Sequence, residues 1–111
     1  MSIKEKIFAT RSLLKRERVS VPEWGVEVEV RELNAKDRLL LHKANTKAPE
    51  KHIAHWIIAT VFESDTGKPV FSEGDADAVM ELAYGPLSDV FAKVLELAGV
   101  DTKAEEAAEK N

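Results

Sequence analysis

The chain has 111 residues and no cysteine, which excludes a disulfide framework and thiolate chemistry. That length fits one domain able to bury about 65% of its unfolded surface, and no stretch has the apolar character of a signal peptide or the roughly 20 apolar residues of a membrane span. The formal charge of −4 is uneven: +4 over residues 1–18, zero over residues 19–62 and −8 over residues 63–111.

In chain order, Ser2 followed by Glu5 forms a capping-box signal and predicts a short helix over residues 3–10, with Ile3, Ile7 and Phe8 as its apolar edge. Arg11, Lys15, Arg16 and Arg18 follow as a basic cluster with no aromatic residue interleaved. Residues 18–33 predict a β-hairpin. Val19 and Val21 lie on one side, and Val26, Val28 and Val30 alternate with Glu27, Glu29 and Arg31 on the other. Pro22 and Gly25 supply the turn between them. Trp24 at the turn tip has two readings: it folds back over the valine face, or it stands out as an anchor for a partner. An isolated hairpin is barely stable, so this one must pack on helices or pair with another copy, and its edges stay open to strand addition unless covered.

Asn34 and Asp37 open a second predicted helix, running to about Asn45, with Leu39, Leu40 and Leu41 as a broad apolar face. The stretch that organises the rest is 49–62, PEKHIAHWIIATVF. Its apolar residues cover most of a helix circumference, so it reads as a central helix buried on several sides. Pro49 suits its first turn, and Glu50 suits the positive end of its dipole. A turn containing Gly67 and Pro69 follows, with Gly67 available for a positive φ. Val70 and Phe71 form an extended apolar pair. Ser72 and Asp75 then cap a helix whose inner stripe is Ala76, Val79, Met80 and Ala83. Pro86 opens the last helix, to about Ala98, with Leu87, Val90, Phe91, Val94 and Leu95 on one stripe and Gly99 as its stop. The fold class expected is α+β: a single, mainly helical domain over residues 1–99, with four to five helices and one N-terminal hairpin. Residues 100–111 are expected to be a charged, disordered tail.

Little in the sequence points to chemistry. His52 and His55 stand three apart on the polar edge of the central helix, a spacing that suits zinc, but no third ligand is nominated by spacing. No nucleophile–base motif, phosphate loop or dinucleotide fingerprint is present. No catalytic residue, cofactor or metal is expected, and by elimination the work of the chain is binding. The candidate protein-binding residues are Trp24, Val26 and Val28 on the hairpin and Arg11, Arg16 and Arg18 in the basic cluster. A basic head and an acidic tail favour head-to-tail contact between copies, although two solvated ends that never meet have the same signature.

The order of these signals resembles the tail assembly chaperones of long-tailed bacteriophages and prophages. The resemblance runs from about Ile3 to Gly99. It is carried most specifically by Val-Pro-Glu-Trp-Gly with the following Arg31–Leu33, and by the segment 65–72 with Gly67, Pro69 and Phe71. It implies a role in the cytoplasm of the infected host and absence from the mature virion. Such chaperones coat the tape measure protein, keep it soluble and let tail tube subunits polymerise around it. The family commonly makes a longer frameshifted product, through which the tail tube protein would be engaged. The closing Glu109-Lys110-Asn111, whose codons can be rich in adenine, would suit such slippage. The expectation is therefore a non-catalytic chaperone that forms a homo-oligomer or open spiral and binds the tape measure protein, with no nucleic acid or membrane partner. The competing readings are a small structural connector or completion protein of the tail, and a nucleic-acid-binding regulator using residues 11–18.

Overall fold

The structure, a computed structural model, describes residues 2–100. Valines at every second position make Val26–Arg31 (β2) the centre of a three-stranded antiparallel sheet, ordered β1-β2-β3. The first strand, Arg16–Val21 (β1), pairs with β2 so that Val19 faces Val28 and Val21 faces Val26. Between them Pro22–Trp24 forms one 3-10 turn closed by Gly25 at φ +69°, a left-handed conformation that glycine adopts without Cβ strain. Trp24 is half-buried and packs against the core, so it takes the folded-back reading.

The third strand is where the structure departs from expectation. The central helix ends at Thr60 rather than Phe62, and Val61–Glu63 (β3) leaves it extended to pair with β2, Val30 opposite Val61. The run Thr60-Val61-Phe62 favours a pleated surface, and the hairpin had an open edge to fill. The expected two-stranded hairpin is thus a three-stranded sheet. The chain turns back at once: the Glu63 N–H donates to the Lys68 carbonyl at 2.8 Å, and Phe62 bridges to Pro69.

Four of the five helices cover the sheet and one another. Asn34 caps Ala35–Lys47 (α2) by accepting from the Asp37 N–H at 2.8 Å. Of the three leucines expected to form its inner face only Leu41 is buried; Leu39 and Leu40 stay 57% and 56% exposed. Three consecutive residues span about 200° of helix, so one stripe cannot hold them all. After a 3-10 turn at Pro49–Lys51, the helix His52–Thr60 (α3) buries Ala54, Trp56, Ile57 and Thr60. It packs against α2, against Ala76–Met80 (α4) and against Tyr84–Ala98 (α5), which is why it is apolar nearly all round. Before α4, the Ser72 N–H donates to the Asp75 carboxylate at 2.8 Å, as the capping signal predicts. Val79 is buried but Met80 and Ala83 are exposed, because α4 ends at Met80 and the expected stripe does not continue. The predicted stripe of α5 is realised, with Leu87, Val90, Phe91, Val94 and Leu95 all buried.

One core unites the inner sheet face, α3 and α5. Val30, Ile57, Val61 and Val90 have no exposed surface. Val100 packs on this core beyond Gly99, and the remainder of the expected tail lies outside the described residues. Among the described residues no helix is long and apolar enough to cross a membrane.

Candidate interaction surfaces

Two surfaces are lined by apolar side chains, one by exposed residues and the other by residues at the margin of the core. The first is the N-terminal arm. Ser2 caps Ile3–Ala9 (α1) by accepting from the Glu5 N–H at 3.1 Å. A 3-10 turn, Thr10–Ser12, continues the helix. Every residue from Ser2 to Arg18 is exposed, and α1 buries none of its own. Ile3 is 77% exposed, Ile7 59% and Phe8 51%, with Leu13 beside them at 71%. Behind the arm the chain is fixed at Lys15, whose N–H donates to the Glu32 carboxylate at 3.1 Å and whose carbonyl accepts from the Glu32 N–H at 2.8 Å.

The second is a groove of about 590 Å³ between α2, α3 and the segment 69–73. Leu40, Leu41, Ile58, Phe62 and Phe71 give it apolar walls, and its charged lining residues are Asp37 and Glu73. These residues come from stretches up to 36 positions apart, which is why no local pattern announced them. Only the bundling of α2 on α3, and the turn that returns Phe71 across β3, bring them together.

The residues nominated from sequence are dispersed. Val28 is only 4% exposed and belongs to the core, so it offers no surface; the same alternation that marked it as a strand residue turns it inward. Val26, at the start of β2, is 51% exposed. Arg16 and Arg18 lie on the outer sheet face and meet acids of the neighbouring strand: Arg16 to Glu29 at 3.9 Å and Arg18 to Glu27 at 3.7 Å. Arg11 belongs to the arm, where its Nε donates to the Phe8 carbonyl at 2.9 Å and its guanidinium lies 5.6 Å from the Phe8 ring. The basic cluster therefore splits, two of its cations being matched across the sheet.

The histidines also part. The Nδ1 of His55 lies 2.8 Å from the Asn45 side-chain oxygen, while the ring of His52 meets Phe91 edge-on at 6.0 Å between centroids. Among the described residues no group of three His, Cys, Asp or Glu side chains gathers as a metal site would.

A sheet of three strands capped by a small helical bundle is a fold similar to that of a solved phage tail assembly chaperone, a member of the family that the sequence resembles. The solved structure of the bacteriophage HK97 tail assembly chaperone superposes on it with a TM-score of 0.64 and 26% identity, covering 87% of this chain and 95% of that one. No protein-family model matches the chain, and no curated protein matches it significantly.

Proposed function

We propose that the protein is a non-catalytic assembly chaperone of phage tails, one that self-associates and engages the tape measure protein in the host cytoplasm. The observation that carries this reading is the similarity to the HK97 tail assembly chaperone over nearly the whole length of both chains. The surfaces support it. A long helical client with apolar faces calls for apolar grooves presented many times over, and the groove beside α2 and the exposed arm are of that kind. Binding through such surfaces needs no reacting group. The acids around the sheet serve as partners for Arg16, Arg18 and Arg31.

Co-expression with the tape measure protein tests the reading directly. The soluble fraction of the client is expected to rise several-fold when this chain is present; a client equally insoluble with and without it would refute the role. Mass analysis of purified virions separates a chaperone from a structural tail piece, because the chaperone is expected to be absent from them.

A further inference from the structure

The arm and the groove are each half of a contact. The arm is convex, helical and apolar on Ile3, Ile7 and Phe8, all exposed. Isolated helices below about 12–15 residues are marginal in water, so a seven-residue helix with no buried face is held best by something it docks against. The groove is concave and apolar, and its size lies within the range of about 300–1,000 Å³ typical of binding clefts. Charge adds a direction. The segment 2–12 carries Lys4, Lys6 and Arg11 against the single acid Glu5, whereas the charged lining residues of the groove are Asp37 and Glu73. The segment 101–111 matches the groove poorly on both counts, since its only apolar residues are alanines and it is acidic.

We infer that α1 of one copy docks in the groove of a second copy, with Ile3, Ile7 and Phe8 entering between α2, α3 and Phe71, and with Lys4 and Lys6 placed toward Asp37 and Glu73. This deepens the chaperone reading, on which it rests for the need for many copies. Because arm and groove are different surfaces of one molecule, the contact is heterologous: each copy offers one of each, and copies add head to tail into an open row unless the rotation closes a ring. Ile3 and Ile7 are one helical turn apart on the same face, the spacing with which a helix anchors in a groove.

The test uses the full chain, size-exclusion chromatography with light scattering, and two variants at exposed positions. The double variant Ile7→Glu/Phe8→Glu disables the arm and leaves the groove. Leu40→Glu, at the groove rim, disables the groove and leaves the arm. The unchanged chain is expected to rise in mass with concentration. Each variant alone is expected to stay at the single-chain mass of 12.3 kDa with unchanged far-ultraviolet circular dichroism. Mixed in equal amounts, the variants are expected to form a pair of twice that mass and no larger species, because the only intact arm meets the only intact groove. Variants that assemble like the unchanged chain would overturn the contact while leaving self-association standing. Single-chain variants that fail to pair on mixing would also overturn it, the arm then closing on its own groove or acting indirectly. An unchanged chain that stays single at every concentration would overturn both this contact and self-association. Co-expression with the client reads the chaperone role independently of either.

Discussion

Arg31 shows how much a single side chain can tie together. Its Nε donates to the Glu29 carboxylate at 2.6 Å, and Glu29 is 8% exposed, deep for an acid on the outer face of a sheet. Its guanidinium also stacks on Phe62 of β3 at 4.3 Å. A Cβ placed on Gly67 would lie 3.2 Å from its Nη2, so the turn after β3 closes against the same group. Arg31→Ala leaves the Glu29 carboxylate with only the more distant Arg16 and is expected to destabilise by about 2 kcal/mol, read from the urea unfolding midpoint. Arg31→Lys should recover only part of that, because an ammonium has no planar fork to stack and pair at once; full recovery would refute the stacking account. Gly67 itself sits at φ +73°, and Gly67→Ala is expected to cost about 1–2 kcal/mol in thermal unfolding, from left-handed strain plus pressure on Arg31.

Among the elements, α3 is the one the others pack against. Ile57 faces the core with no exposed surface, and Ile57→Ala is expected to cost about 3 kcal/mol, since both the transfer term and an unfilled cavity count. Leu39→Ala, on the solvent side of α2, should change stability by less than about 0.5 kcal/mol; a loss equal to that of Ile57 would contradict the exposure of α2. The contact of β1 with α5 has an electrostatic component. The Lys93 ammonium lies 3.1 Å from Glu96 and 3.3 Å from Glu17 of β1, and these partners, Glu96 first, hold its pKa above the ordinary 10.5. A raised pKa means that the contribution is fully present at neutral pH and is lost as pH climbs past the folded value. The difference in melting temperature between the unchanged chain and Lys93→Met should therefore be constant near neutrality and shrink in alkaline solution above 10.5. A difference that instead grew with pH would refute the assignment.

At the scale of the molecule, the proposed binding role rests on what the fold leaves uncovered. The core absorbs the stripes of α3 and α5 and the inward residues of the strands, yet α1 and Leu40 of α2 keep their apolar side chains in solvent, and Ile58, Phe62 and Phe71 are only partly covered. Self-association through these surfaces, as proposed, would mix apolar burial with charge. Exposed charges are screened beyond about 8 Å at physiological ionic strength. Assembly is accordingly expected to weaken with salt yet persist at high salt, measured by light scattering. Complete dissociation by salt alone would mean that the contact is purely electrostatic and that the apolar surfaces serve another purpose.

Local signals were enough to mark that each helix exists, where several are capped, which strand residues alternate and which turns need glycine, although the last helix opens at Tyr84, two residues before Pro86. Ser2, Asn34, Ser72, Gly25 and Gly99 act as caps or turn residues where their chemistry places them, because those interactions span only three or four residues. The central helix was legible for the same reason, as a run of apolar residues with nowhere to turn but inward. Its end was not: Val61 and Phe62 continue the apolar run and become strand only because the free edge of β2 lies within reach. Nor could periodicity tell Leu41 from Leu40, or show that Phe71 returns to Ile58, since each depends on which element packs across the gap. Val28 carries the same lesson from the other side: alternation says that a residue faces one way, and the position of the helices says whether that way is in or out.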